Sequence, residues 1–259
     1  MIHECSSVHP EAIIGKNVTV SAFAVIDKNV VIGDNTYIYP HAVILEGARI
    51  GKNCRIFPGA VISGIPQDLK FGGEETTCEI GDNTTIRECA TVNRGTASKG
   101  KTIVGNDCLL MAYSHVAHDC IVKDYVILGN ATQLAGEVEV DDYAILSGGV
   151  LIHQFCRIGK HAMIQGGSRT SKDIPPYVIA GREPLIFSGV NIIGLRRRGY
   201  TNEQISNIQE VYRILYQSGM NNSDAIKHIE SNFPDNPEKQ EIIQFITSSQ
   251  RGIIRGYLE

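Results

Sequence analysis

The chain has no tryptophan, and only 7 phenylalanines and 10 tyrosines in 259 residues. A core built around large rings is excluded, and the 42% hydrophobic content has to come mainly from smaller aliphatic side chains. No apolar run approaches the ~20 residues that a membrane-spanning helix needs. The opening MIHECSSVHPEAII carries His and Glu and has no basic segment ahead of an apolar one. It does not read as a secretory signal, so a soluble cytoplasmic protein is expected. The seven cysteines are odd in number and include no Cys-x-x-Cys pair, which argues for thiols rather than a disulfide framework. Neither sign of charge is in large excess: 24 basic against 28 acidic residues give −4. A broad nucleic-acid-binding face is thereby disfavoured. At 20% charged residues the chain is too apolar to be disordered.

What is present is a repeat. Starting at Val8 and stepping by six, 24 of the 27 positions to Ile164 are Val, Ile or Leu, the exceptions being Asp68, Glu74 and Ser98. Two residues before each lies a second series of small or β-branched side chains, such as Val18, Ala24, Val30, Thr36, Ala42 and Ala48. A spacing of two puts both series on one face of a short strand. Gly, Asp and Asn recur between strands, as in Ile32-Gly33-Asp34-Asn35, and tolerate the left-handed conformations of tight corners. Three six-residue sides make one triangular coil of eighteen, stacked on the next by parallel ladders. The span is long enough for about nine coils of an all-β parallel helix. Five of the seven cysteines, at 54, 78, 108, 120 and 156, fall in the small inward series and read as core residues.

Two stretches break the pattern and rejoin it in phase: residues 63–79 and 93–103. They are expected to be loops thrown out from corners. The prism is assigned to 1–185 and a small helical domain to 186–259. Ile205, Ile208, Val211, Tyr212 and Leu215 follow a helical stripe. Thr201 with Gln204 has the form of a capping box, with Gly219 as a stop. Two more helices are expected, from near Ser223 and from Asn236-Pro237.

His115, His118 and His153 are the candidate chemistry. Two steps of eighteen from His118 reach Gly136 and then Gln154. A base, a backbone amide bared by a missing side chain, and a polar amide would line one edge, which suits acyl transfer: the base takes a proton and the amide stabilises an oxyanion. Asp119 could orient the ring, although neighbours in a strand often point apart. Three imidazoles from His115, His118 and His153 could instead hold zinc, but no histidine lies two coils from His118, and no metal is assigned. Gly148-Gly149 and Gly166-Gly167 read as corner glycines rather than phosphate loops. Arg196-Arg197-Arg198 is either a solvated helix end or a phosphate-binding group.

Several non-repeat motifs occur in order: Gln67-Asp68-Leu69-Lys70, Ile86-Arg87-Glu88 through Arg94-Gly95-Thr96, His115-Val116-Ala117-His118-Asp119-Cys120, His153-Gln154-Phe155-Cys156, Asp173-Ile174-Pro175-Pro176-Tyr177, and Gly189-Val190-Asn191 with Gly194-Leu195-Arg196-Arg197-Arg198-Gly199. Over nearly its whole length the chain resembles the acyl-carrier-protein–UDP-N-acetylglucosamine O-acyltransferases. The resemblance implies a left-handed coil and a homotrimer with sites in the grooves between prisms. It implies transfer of an (R)-3-hydroxyacyl chain from acyl carrier protein to the glucosamine 3-hydroxyl of UDP-N-acetylglucosamine, the first step of lipid A synthesis, without a cofactor. Carried over position by position, His118 matches the general base and Gly136 the oxyanion amide. Asp68 and Lys70 match loop contacts to the substrate, and His115, His153 and Gln154 match further groove contacts. Asn191, Arg197 and Arg198 match contacts to the nucleotide and its phosphates. Gly166 matches the residue that sets acyl length, and its small size implies a long chain.

Three positions depart from that pattern. Glu137 stands where a His follows the oxyanion glycine, Ile193 where a Glu lies two after the Asn, and Pro184 where a His precedes the helices. Two alternatives stay open. The acceptor could be a 3-amino sugar, although enzymes of that kind carry an extra N-terminal domain while the hexads here begin at residue 8. The chain could also be a non-catalytic hexapeptide scaffold or a carrier-protein-binding module.

Overall fold

The computed structural model describes residues 1–256. The hexads form the expected prism, a left-handed parallel β-helix with three sheets as its faces. One face has nine strands, the second eight, and the third ten. Most strands are two residues long, one side chain outward and the next inward, as in Val43–Ile44 and Ile127–Leu128. The inward residues are fully buried: Ile38, Ile44, Ile56, Leu110, Leu128 and Leu134 are each at 0% exposure, and so are the small partners Ala24, Ala42 and Ala60. Cys54, Cys78, Cys108, Cys120 and Cys156 belong to the same small inward series, on more than one face, and burial pushes their thiols up to about 11 or 12.

The register repeats every eighteen residues, as in Val25↔Val43 and Ile127↔Ile145. It lengthens twice, to a step of 30 at Val61↔Thr91 and to 24 at Thr91↔His115. Those steps hold the two insertions, which leave between strands Val61–Gly64 and Thr77–Ile80 and between Thr91–Asn93 and Lys101–Val104. With nine, eight and ten strands on its three faces, the prism has the expected nine or so coils.

The corners need the left-handed conformation at one residue each. At one edge it falls on Asn17, Asn35, Asn53 and Asn83, and further along on Tyr125, Tyr143, His161 and Tyr177. Asn17 donates to Asn35, and Asn53 to Asn83, through their side-chain amides at 3.2 Å. The aromatic half stacks instead, Tyr125 on Tyr143 at 4.6 Å and Tyr143 on His161 at 4.9 Å. The scarce rings thus decorate the outside of the prism, because coil spacing along an edge matches the stacking distance.

The last strand, Ile186–Val190, runs antiparallel to Val178–Gly181 and closes the third face. The division expected at 185/186 falls inside this hairpin, and the helices begin at 192. Helix α1 is Ile192–Arg197, α2 Asn202–Gln217, α3 Asn222–Asn232 and α4 Pro237–Thr247. Both halves of the Thr201–Gln204 capping box are present, and Gly219 takes φ +76° just beyond α2. The short α1 was not anticipated: its six residues bury only Leu195, too few to show a period. The helices cap the prism through Phe187, stacked against both Tyr212 and Tyr216, and through the Tyr212 hydroxyl, which donates to Pro176 O at 2.5 Å. The chain end returns to the prism, where Asp173 N–H donates to Gly252 O and Ile254 N–H to Asp173 O. Among the described residues, no helix is long and apolar enough to cross a membrane.

Candidate active site

His115–Val116 is a strand of the first face, and the chain turns the corner directly after it. His118 lies at that corner, 18% exposed, and Asp119 takes φ +61°. This left-handed turn is why adjacent side chains meet here rather than pointing apart. His118 Nδ1 is 2.8 Å from Asp119 Oδ2, and the Asp119 side chain is at 0% exposure. Burial opposes the charge on Asp119, but hydrogen bonds from Thr96, His118 and Lys99 outweigh it and hold the carboxyl below its ordinary value.

The eighteen-residue stack is realised. Glu137 N–H donates to His118 O, and Phe155 N–H donates to Gly136 O one coil further on. The Gly136 N–H enters neither bond. A Cβ at Gly136 would lie 2.6 Å from His118 Cε1 and Nε2, so only glycine lets the imidazole lie across this amide. His118, Gly136 and Gln154 share a cavity of about 460 Å³ with Gln67, Asn93 and His115. His115 Nδ1 is 2.7 Å from Thr91 Oγ1 on the preceding coil. Burial, and then the neighbouring His118, lowers its pKa.

The first inserted loop brings Asp68 over the cavity, with Oδ2 4.0 Å from His118 Nε2. Asp68 Oδ1 accepts the backbone N–H of Lys70 at 3.0 Å, and the Lys70 side chain is exposed. The two loops are tied together, since Ala97 N–H donates to Glu74 Oε1 at 2.9 Å. Thr96 and Lys99 of the second loop, which supply backbone and hydroxyl donors to Asp119, were not singled out from sequence. An insertion has no period, so no spacing pointed to them. Gln67 and Asn93 were missed for the same reason.

The remaining predicted residues are not brought into this cavity. His153 lines an adjoining one of about 560 Å³ with Arg169, Glu183 and Pro184, and the two cavities share Leu151 and Ile152. Asn191 is buried as the N-cap of α1, with Oδ1 accepting Gly194 N–H and Nδ2 donating to His161 O. The Arg198 guanidinium lies 4.9 Å from the Tyr143 ring centroid, on the aromatic edge, and Arg197 is exposed beside it. Gly166 sits at a third edge against Gly148, where a Cβ would approach Gly148 O to 3.1 Å. Of the departures, Glu137 faces another cavity with Lys99, Phe155 and Arg157, and Ile193 is exposed on α1. Among the described residues, no group of three or more His, Cys, Asp or Glu side chains is placed to hold a metal ion.

A base held by a buried carboxylate, beside a bared backbone amide in a groove, is equipped to deprotonate a hydroxyl and to stabilise an oxyanion. Comparison with known proteins agrees with that chemistry. Residues 173–254 match the family described as UDP N-acetylglucosamine O-acyltransferase, domain 2. Residues 29–64 and 101–136 match the bacterial transferase hexapeptide family. An acyl-[acyl-carrier-protein]–UDP-N-acetylglucosamine O-acyltransferase of Aliivibrio fischeri is 47% identical over 262 residues, covering 98% of this chain and 100% of that one. Its counterpart in Xylella fastidiosa is 45% identical over 257 residues, covering 98% of each. The solved UDP-N-acetylglucosamine acyltransferase of Bacteroides fragilis superposes with a TM-score of 0.97 at 60% identity, over 98% of this chain and 100% of that one.

Proposed function

The chain belongs to the acyl-[acyl-carrier-protein]–UDP-N-acetylglucosamine O-acyltransferase family, and from that premise we propose that it acylates the glucosamine 3-hydroxyl of UDP-N-acetylglucosamine, the first step of lipid A synthesis. The observation that carries the reading is the column of His118 over Gly136, with Asp119 behind the ring. His118 Nε2 takes the proton of the sugar hydroxyl as its oxygen attacks the thioester carbonyl of a 3-hydroxyacyl group on acyl carrier protein. Asp119 holds the Nδ1 proton and stabilises the imidazolium that forms. The Gly136 N–H faces the developing oxyanion. Collapse of the tetrahedral intermediate expels the carrier thiolate, which takes the proton back from His118. Asp68, beside Nε2, lies where the sugar must sit, and Lys70, His115 and Gln154 flank it.

A homotrimer accounts for where the other residues lie. Within one prism, His118, Gly166 and Arg198 occupy three different edges. Packing prisms side by side brings edges of neighbouring subunits into one groove, so that His153, Arg197 and Arg198 serve the nucleotide, Asn191 holds the start of the helix that carries the arginines, and Gly166 bounds a long acyl chain. The setting for such soluble substrates is the cytoplasm.

The test is mass spectrometry of the product from UDP-N-acetylglucosamine and a ladder of 3-hydroxyacyl carrier proteins, with wild type and His118→Ala. A general base contributes ~10²–10⁴ in rate. A His118→Ala enzyme within about tenfold of wild type, or acylation only of a 3-amino acceptor, would overturn the reading.

A further inference from the structure

The Asp119 carboxylate is fully buried, and a buried carboxylate has to be satisfied by hydrogen bonds. Its donors come mostly from one place. Oδ1 accepts Thr96 N–H at 3.0 Å and Lys99 N–H at 3.1 Å, while Oδ2 accepts the Thr96 hydroxyl at 2.6 Å and His118 Nδ1–H at 2.8 Å. Three of the four bonds are thus made by the second inserted loop. Ser98 N–H donates to Thr96 Oγ1 at 3.2 Å, which directs the single hydroxyl proton at Asp119. The loop is pinched shut to hold this shape: a Cβ on Gly95 would lie 2.2 Å from Lys101 N. Thr96 is 8% exposed and does not line the cavity, so it has no route to the substrate.

We propose that Thr96 is a positioning residue for the acyl transfer, its amide and hydroxyl together fixing the Asp119 carboxylate in the plane that aligns His118. The proposal rests on the reading of His118 as the general base. It also gives the loop a purpose: the register step lengthens to 24 in the coil that ends at His115, which places the extra residues directly under the catalytic corner.

The test separates Thr96 from a merely structural role. The charged and titratable groups around His118 are Asp119 at Nδ1, Asp68 near Nε2, His115 on its own strand and, on the second loop, Lys99, whose Nζ pairs with Glu139. Thr96→Val leaves all of them in place. It removes one of the two donors on Oδ2, which makes that oxygen a stronger acceptor for the His118 proton and favours the imidazolium. The expected result is a kcat lowered about tenfold, an unchanged KM for UDP-N-acetylglucosamine, and an acid limb of the pH–kcat profile moved to higher pH. Thr96→Ser keeps the hydroxyl and should restore both kcat and the acid limb. If Thr96→Val melts early, Thr96→Ala carries the same expectations. A hydroxyl-less variant with wild-type kcat and an unmoved acid limb, or a serine variant that behaves like valine, overturns the proposal. His118→Ala is assayed alongside. If it stays within about tenfold of wild type, the base reading falls and takes this proposal with it. If it loses activity while Thr96→Val does not, only the proposal fails.

Discussion

Gly136→Ala is the most direct test of the column, because it changes one atom and leaves the acid–base groups untouched. Gly136 is not among the residues of left-handed φ, so alanine meets no backbone strain there. The added Cβ instead meets the imidazole, at 2.6 Å from Cε1 and Nε2 and 3.3 Å from Nδ1. Non-bonded carbon contacts settle at about 3.5–4.0 Å, so the ring has to withdraw by roughly 1 Å. The backbone below cannot give way, since Glu137 N–H and Phe155 N–H clamp it into the ladder on both sides. The ring can move, because His118 is 18% exposed and borders an open cavity. Its swing breaks the 2.8 Å bond to Asp119 and carries Nε2 away from the acceptor.

A misplacement of about 1 Å at a reacting centre costs on the order of 10²-fold, or ~2.7 kcal/mol of barrier. The expected phenotype is a kcat down about a hundredfold with a melting temperature within a few degrees of wild type, since no core residue changes. Steady-state turnover of the acyl-carrier donor with UDP-N-acetylglucosamine, alongside thermal melts, reads both quantities. A Gly136→Ala enzyme with kcat within about threefold of wild type would show that an imidazole lying across the amide is dispensable, and the stacking argument would fail.

Two further substitutions probe charge. Asp119→Asn removes the carboxylate 2.8 Å from His118 Nδ1, which in the proposed mechanism stabilises the imidazolium, so kcat should fall and the acid limb of its pH profile should move to lower pH; an unmoved limb would mean that the pair is not coupled. The same variant should show a shallower loss of stability on acidification. Asp119 has a depressed value in the folded state, so its contribution is present above the ordinary carboxylate range and is lost as pH falls through the folded value. His161 acts in a different window. Burial, with Arg198 and Lys160 nearby, pushes its value down to about 3, whereas an unfolded histidine titrates near 6.5. Below about pH 6.5 the unfolded chain takes up a proton that the fold refuses, and stability falls with pH by up to ~1.4 kcal/mol per unit. His161→Phe keeps the stack with Tyr143 and Tyr177 and should flatten that slope in urea melts between pH 7 and 5; parallel slopes would refute the assignment.

The prism was legible because its physics is periodic. A six-residue side forces an inward residue at every sixth position, and Ile44 or Leu128 cannot be moved out of phase without opening the core. The same period made part of the site legible. Residues eighteen apart at a corner must stack, so Gly136 and Gln154 could be placed on the edge of His118 by counting alone. The insertions were legible only as interruptions. What they do depends on how a non-repeating chain closes on itself, and Thr96, Asn93 and Gln67 carry no spacing that announces it.

The meeting of His118 and Asp119 shows why neighbouring residues can be misjudged. On a flat strand they would face opposite sides. At a corner with φ +61° the chain turns between them, and the Asp119 side chain tucks beneath the imidazole instead of into the next face. Most corners of the prism spend this left-handed residue on Asn, Tyr, Phe or Gly, whose side chains stack along the edge or are absent. An aspartate in the same position would ordinarily remain solvated. Here the second insertion covers it and replaces water with Thr96 and Lys99 donors. Asp107 and Glu137 also put a carboxylate at a left-handed corner, so what sets the His118 corner apart is the loop that buries its carboxylate and supplies donors to it. The coil below holds Gly136 directly under the ring, where a Cβ would come within 2.6 Å of it. The coils supply His118 and the Gly136 amide, and the loops supply what a strict hexapeptide repeat has no position for: donors to Asp119 and the Asp68 carboxylate beside Nε2.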